Sequence, residues 1–429
     1  MIKKIIVVSL LTLSVFAQDT YTIDQLILKA MKNSPDLAIS ANQYKASKNR
    51  YDIATSSYLP KIDFSINAGQ IGQSNIFASN SDMLDDTVIN GSITLKQLLY
   101  DFGKTTGNSD SFKYDSDSFN SDNQQLISDK IRDVKRAYYG VLNSIALIDV
   151  NIENVKLNEI QLYRSKKYFD AGIRTKIDIS DAKVESIKSK LDLRKSEYNL
   201  KLSYTALDKV VGFKQVNNNY KVFSKQLDLE NLYQSIGSYP LTLQESIEFA
   251  YANRHEIKSF SAKIKSSMSK NKVAESEYYP ELYFNANYTK QDADELDNFI
   301  PKDQWATMLN LNWNIYQGGA SSYRNEEKRI QVNISKLQLE NIKLNIKESV
   351  TQAYINVNKA KDSIELSQNL LEVSKEKFDQ AQKRYEHGLS DYIELQQARQ
   401  GYIDSMSSLV IDYYNYHVEI AYLNNAIGK

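Results

Sequence analysis

The chain carries one pattern of residues twice. Thr22-Ile23-Asp24-Gln25 corresponds to Thr242-Leu243-Gln244-Glu245 at an offset of 220 residues. At the same offset Ala30, Asn33 and Asp36 meet Ala250, Asn253 and Glu256, and Tyr58-Leu59-Pro60 meets Tyr278-Tyr279-Pro280. The offset then becomes 216, where Tyr100-Asp101-Phe102-Gly103 meets Tyr316-Gln317-Gly318-Gly319 and Ala137-Tyr138 meets Ala353-Tyr354. Phe169 to Ile173 meets Tyr385 to Leu389, and Leu207 to Gly212 meets Leu423 to Gly428. A single change of four residues between the proline and the tyrosine explains the shift. A repeat this long marks a duplicated architectural unit, so any acceptable fold must hold two similar halves.

Proline and hydrophobic period set the elements inside each half. The five prolines stand at 35, 60, 240, 280 and 301, which leaves 61–239 and everything after 301 free to be helical. Near Pro60 and Pro280 the period drops to two. Ile62, Phe64, Ile66 and Ala68 alternate with Lys61, Asp63, Ser65 and Asn67, and Leu282, Phe284, Ala286 and Tyr288 alternate with Glu281, Tyr283, Asn285 and Asn287. The returning segments repeat this, with Ile89, Gly91, Ile93 and Leu95 in the first half and Leu309, Leu311, Trp313 and Ile315 in the second. Such alternation predicts strands with one apolar and one wet face, at about 60–70, 86–99, 280–290 and 304–315. Asn80-Ser81-Asp82 and Asp292-Ala293-Asp294 are assigned to the polar loops that join each pair. An ordinary half-buried hairpin has the same pattern. A strand of roughly ten residues is also what a tilted bilayer crossing needs.

The rest reads as helix. Long helices are expected over about 104–170 and 320–386, each on the order of 100 Å at the usual rise. Shorter ones are expected over about 22–57, 176–211, 243–277 and 392–427. The second long segment has a heptad of large residues, Val350, Val357, Ile364, Leu371, Phe378 and Tyr385, interleaved with Ala353, Ala360, Ser367, Ser374 and Ala381. Val134, Val141, Ile148, Val155, Leu162 and Phe169 repeat it in the first copy. This is coiled-coil spacing. Gly172 and Gly388 close the long helices, since glycine accepts the left-handed conformation that ends one. The apolar Ile173 and Leu389 follow them. Asp178 and Glu394 lie six residues beyond each glycine, where a carboxylate suits a helix N-terminus and would also form an acidic ring if copies assembled.

The N-terminus reads as a secretory signal, residues 1–17, with a basic start at Lys3-Lys4, an apolar run from Ile5 to Leu13 and small residues before a cut after Ala17. No later stretch is apolar enough for a membrane helix, so a membrane-inserted form would have to use a closed β-barrel. Lys and Arg number 53 and so do Asp and Glu, which removes the basic field that nucleic-acid binding needs. Cysteine is absent, so thiolate chemistry is excluded. The three histidines, His255, His387 and His417, have no ligand-like spacing, and no nucleotide or zinc motif is present. No catalytic residue, cofactor or metal is therefore expected.

With its duplicated order of helix, strand pair, long helix, glycine turn and helix, the chain from about 22 to 428 resembles the TolC-like outer membrane factor family. Proline at each helix-to-strand junction and the turns Ala171-Gly172-Ile173 and His387-Gly388-Leu389 carry the resemblance. It implies an α+β fold, with long antiparallel coiled-coil helices forming a periplasmic tunnel. Four strands per subunit then contribute to a trimeric twelve-stranded outer-membrane barrel. It implies a homotrimeric exit duct for efflux or type I secretion, served by a periplasmic adaptor and an inner-membrane pump. Residues 18–212 become the first repeat, 213–240 an equatorial linker and 241–429 the second repeat. Gly172, Ile173, Gly388 and Leu389 match the adaptor-facing tip. Asp178 and Tyr385 match an acid and an aromatic that lock the closed entrance, and Glu394 matches a constriction-ring acid. Gln397 stands where relatives carry a second acid, with Asp181 in the first copy as its substitute. Ser390 stands where an arginine lock partner belongs, and Arg174 occupies the first-copy equivalent. A secreted or surface structural coiled-coil protein is the competing reading, which accounts for the heptads and the signal but not for the strand pairs.

Overall fold

The computed structural model describes residues 19–74, 83–214, 220–293 and 302–429. The expected signal segment and the Asn80-Ser81-Asp82 loop lie outside the described residues. The chain divides into two compact units, and each draws on both sequence repeats. One contains Ala38–Gln125 and Arg254–Asn345; the other runs to Leu37 and adds Leu126–Asn253 and Ile346–Lys429.

The first of these holds a four-stranded antiparallel sheet of β2 (Lys61–Ser74), β3 (Met83–Tyr100), β5 (Glu281–Ala293) and β6 (Asp303–Asn312). Their order is β2-β3-β5-β6, so β2 and β6 are open edges. Asp292 and Ala293, assigned to a loop by the sequence, belong to β5, where they pair with Ile89 and Val88. The longer β3 supplies backbone partners that polarity alone does not reveal. The register puts Phe64 opposite Ile93, Ile93 opposite Tyr288 and Tyr288 opposite Trp305, all on one apolar face. The other face is wet and cross-linked: Ser65 and Ser92 share a hydrogen bond of 2.8 Å, Asn67 donates to Asn90 at 3.1 Å, and Thr94 donates to Asn287 at 2.9 Å.

Both halves build the strand-to-helix junction alike. Gln97 donates to the Tyr58 carbonyl at 2.9 Å, and its repeat equivalent Trp313 donates to the Tyr278 carbonyl at 3.1 Å. In the first half the long helix α3 (Lys104–Asp170) is capped by the buried Asp101, whose carboxylate accepts the Gly103 and Thr105 amides at 3.1 and 2.6 Å. The turn before α3 has Phe102 at φ 52°, while the repeat position before α8 (Ala320–Glu386) is Gly318 at φ 62°. A side chain in the left-handed region costs about 1–2 kcal/mol. The first copy therefore keeps a strained phenylalanine where the second uses glycine.

The sequence suggests one helix over 22–57, but there are two, α1 (Ile23–Asn33) and α2 (Pro35–Thr55). Ser34 is extended, ψ 119°, because the residue before proline is kept out of the helical region. The second copy breaks at the same place, between α6 (Leu243–Asn253) and α7 (His255–Ser276), with Arg254 at ψ 127° and no proline. The bend thus belongs to the duplicated architecture, and proline only makes it cheaper. Both copies start with a capping box: the Thr22 amide donates to Gln25 at 3.0 Å, and the Thr242 amide to Glu245 at 2.8 Å.

In the other unit, α4 (Lys176–Val211) and α9 (Tyr392–Ala426) accompany the lower parts of the long helices. The second-copy heptad is buried throughout, from Val350 to Tyr385. The first copy differs. Val134 and Val141 are buried, but Ile148, Val155 and Leu162 are only partly so, and Phe169 is exposed. Its deepest positions near the turn are polar, with Asn154, Asn158, Gln161 and Ser165 buried. Asn158 donates to the Asn154 carbonyl and side-chain oxygen at 2.9 and 2.8 Å, as a buried amide must. On α4 a separate heptad stripe, Ile177, Val184, Leu191 and Tyr198, stays exposed in the single chain. Residues 213–240 hold β4 (Tyr220–Val222), which pairs in parallel with β1 (Asp19–Tyr21), and the short α5 (Leu232–Ser235).

Two predictions follow from this packing. Gly212 closes α4 at φ 81°, and a Cβ there would lie 2.8 Å from the Asn33 carbonyl oxygen. Gly212→Ala should cost more than about 1 kcal/mol in thermal or denaturant unfolding of the solubilised protein. His417 stacks on Tyr139 at 5.1 Å and meets Tyr413 edge-on at 4.8 Å, and burial pushes its pKa down. A lowered folded pKa means that protonation opposes folding. Stability should hold above about pH 6.5 and fall as pH drops through the folded value. His417→Phe should remove that slope from a pH series of unfolding midpoints.

Candidate functional site at the glycine turns

The turns that close the long helices have the same construction. After α3, the Ile173 amide donates to the Tyr168 carbonyl at 2.8 Å and the Gly172 amide to Phe169 at 2.9 Å. After α8, the Leu389 amide donates to Arg384 at 2.9 Å and the Gly388 amide to Tyr385 at 3.1 Å. Gly172 and Gly388 have φ of 71° and 76°, so these are Schellman ends. The residues after the glycines are left in solvent, Ile173 at 64% exposure and Leu389 at 71%. The turns thus leave one apolar side chain each in solvent.

The acids beyond the turns occupy matching third positions of α4 and α9, yet their carboxylates do different things. Asp178 reaches back to accept the Thr175 amide at 3.0 Å and its hydroxyl at 3.3 Å. In α9 the capping is done by Asp391, which accepts the Glu394 amide at 2.9 Å. Glu394 is thereby released and meets Arg384 at 3.4 Å. Asp181, one turn along α4, is exposed and has no hydrogen-bond or ion-pair partner among the described residues. Asp178 and Glu394 are half-buried.

Tyr385 is the anchor, 1% exposed, in a core with Ala182, Phe378, Ala381, Tyr392, Leu395 and Ala398. Burial raises its phenol pKa, against the lowering effect of Ser165 and of the Arg174 charge. The guanidinium of Arg174 sits 4.5 Å from the Tyr385 ring centre. It also donates to the Ser390 carbonyl at 3.0 Å and the Tyr385 carbonyl at 3.3 Å. One side chain from the first turn therefore ties down the backbone of the second. Ser390, where an arginine was expected, is held through its carbonyl by the arginine of the other copy. A second tie, Arg164 to Glu386 at 2.6 Å, joins the two long helices just above.

The structure thus brings Arg174, Tyr385 and the two turns together. Asp178, Asp181 and Glu394 lie in the same tip, though no contact joins one acid to another within the chain. Sequence reasoning missed Asp391, Arg384 and Arg164. The pattern Asp391-x-x-Glu394 at a helix start did signal the cap, whereas the arginine pairings join residues far apart in sequence and left no local trace. Among the described residues no cluster of acids and histidines is placed to hold a metal ion, and no helix is long and apolar enough to cross a membrane.

The outer membrane efflux protein family matches residues 26–213 and 247–429. The chain therefore belongs to that family, and it is an outer-membrane efflux channel protein with a helical periplasmic part and a share of a β-barrel. The structural coiled-coil alternative has no support. No curated protein matches the chain at the sequence level. Solved structures with this fold include the CmeC outer membrane channel of Campylobacter jejuni, with 16% identity, 95% of this chain and 85% of that one covered, and a TM-score of 0.82. The outer membrane protein VceC of Vibrio cholerae has 13% identity, coverage of 95% and 96%, and a TM-score of 0.79. The open state of the Neisseria gonorrhoeae MtrE outer membrane channel has 14% identity, coverage of 95% and 88%, and a TM-score of 0.75.

Arg174→Ala should leave the helices folded but loosen the second turn, seen as faster amide hydrogen exchange at Gly388, Leu389 and Ser390. Arg174→Lys should not restore protection, because an ammonium lacks the planar stack and the forked donors.

Proposed function

We propose that three copies of this chain close into one duct, with the glycine-turn tips as its gated entrance. The observation that carries the reading is the sheet. It has an apolar face, an amide-lined face and two open edges, β2 and β6. In lipid an unpaired strand edge is not tolerated, so β6 of one copy must meet β2 of the next. The exposed heptad stripe on α4 supports the same assembly, since it needs a neighbouring helix. Three copies, as the family resemblance implies, give a twelve-stranded barrel.

In this reading Asp178, Asp181 and Glu394 recur around the entrance as an acidic constriction that favours cations. Tyr385 and Arg174 hold the closed arrangement. Ile173 and Leu389, set outward by Gly172 and Gly388, are the contacts for a periplasmic adaptor linked to an inner-membrane pump. Substrate passes without chemistry, and the energy comes from the pump.

Planar-bilayer recording on the purified oligomer tests this. The wild type should show small, cation-preferring conductance. Asp178→Asn with Glu394→Gln should reduce the preference, and Arg174→Ala should raise conductance. Unchanged selectivity in the double variant would remove these acids from the constriction.

A further inference from the structure

We propose that the wet face of the sheet holds an anion-binding site at its helix-side end, built on Lys61 and Lys96, for solutes that carry several phosphate or carboxylate groups. The proposal rests on that face being the lumen of the duct and adds a class of solute that is held there.

The first observation is a pairing that stability alone does not favour. In the register of β2 and β3, Lys61 stands directly opposite Lys96. Like charges in that relation destabilise a strand pair. Duplication does not impose the conflict, since the repeat equivalents Glu281 and Asn312 are also register partners and carry one charge between them. Both lysines belong to the wet face, with Lys61 in line with Ser65 and Asn67 and Lys96 opposite Asn285 of β5.

The second observation is that the nearby acids are mostly engaged elsewhere. Asp101 accepts the Gly103 and Thr105 amides at 3.1 and 2.6 Å, so the start of α3 is already capped. Glu281 accepts the Lys104 ammonium at 2.6 Å and the Tyr283 hydroxyl at 2.9 Å. The Lys96 ammonium lies 4.5 Å from the centre of the Tyr283 ring, a contact that steadies the head group and leaves its charge in place. Lys61 has no hydrogen-bond or ion-pair partner among the described residues. Asp63 follows Lys61 on the same face, opposite Thr94, and pairs with neither lysine among the described residues. One unengaged acid thus stands beside two ammonium groups.

The third observation is a space to fill. A cleft of about 430 Å³ is lined by Lys61, Lys96, Lys104, Asn108 and Tyr283, with Asp101 at its helix end. That is the size of a small-molecule site. Asn108 adds an uncharged amide to the two ammonium groups. The lysines are register partners, so when β6 of one copy meets β2 of the next, each of three copies brings both to one level of the lumen. A ring of ammonium groups of this kind holds a multivalent anion more firmly than a monovalent one, because each further contact is made within the complex.

The test uses the full oligomer in a planar bilayer, with protein added to one compartment. The helical part is too large and polar to cross, so the barrel mouth faces the other compartment, and tripolyphosphate is added there. It should block the wild-type current saturably. In Lys61→Gln with Lys96→Gln the half-blocking concentration should rise about tenfold or more, the loss of charge-assisted contacts. Lys61→Arg with Lys96→Arg should keep the block. Calorimetric titration of the detergent-solubilised oligomers with tripolyphosphate should show the same order without a current. The glutamine pair should unfold at no lower temperature than wild type, since it removes a repulsion. A lower unfolding temperature would make the lysines structural partners and overturn the assignment. A conducting wild type that tripolyphosphate does not block, or equal block in wild type and the glutamine pair, would overturn the anion site while leaving the duct standing. An oligomer that forms no channel at all would overturn the duct and the site together.

Discussion

The open backbone edges of β2 and β6 are the constraint on which the rest of this protein depends. A strand edge in hydrocarbon leaves a row of amide and carbonyl groups without partners, at several kcal/mol per group. Four strands with right-handed twist do not close on themselves. The chain's apolar sheet face thus becomes useful only when another copy supplies the missing edge. The exposed stripe on α4 repeats the same incompleteness among the helices. Membership of the outer membrane efflux protein family fits this incompleteness, because a channel wall is made of parts that are unfinished alone.

Duplication supplies economy, and its departures carry information. The capping boxes, the bend before α2 and α7, the side-chain bond from Gln97 or Trp313 to a tyrosine carbonyl, and the two Schellman turns are each built twice. Where the copies differ, a local task differs. Phe102 replaces glycine at a strained turn. Asp391 caps α9 and Glu394 pairs with Arg384 instead, while in the first copy Asp178 is spent on the cap. The buried seam of the first long helix is laced with asparagine, glutamine and serine near its end, whereas the second is apolar down to Tyr385.

At the tip, the tie of Arg174 across the two turns is partly exposed and rests on a stack and two hydrogen bonds. Such contacts hold a position without contributing the stability of a core, as the proposed gate requires. The apolar anchor beneath it, around Tyr385 and Tyr392, is a buried cluster.

Much of this was written in the sequence. Period two and period seven, five prolines and two turn glycines gave the strands, the long helices and their ends, because each is a local consequence of backbone chemistry. The repeat showed that the elements come in matched halves. The resemblance placed Asp178, Asp181, Tyr385 and Glu394 near the turns. Tertiary structure decided what those residues touch. The pairing of Arg174 with Tyr385 and Ser390, of Glu394 with Arg384, and of Arg164 with Glu386 joins positions that no local pattern links. The compact units also cut across the repeats, since each long helix contributes to both. Sequence fixes the period and ends of an element from its neighbours along the chain, whereas partners across space depend on register between elements, and that is set only when they pack.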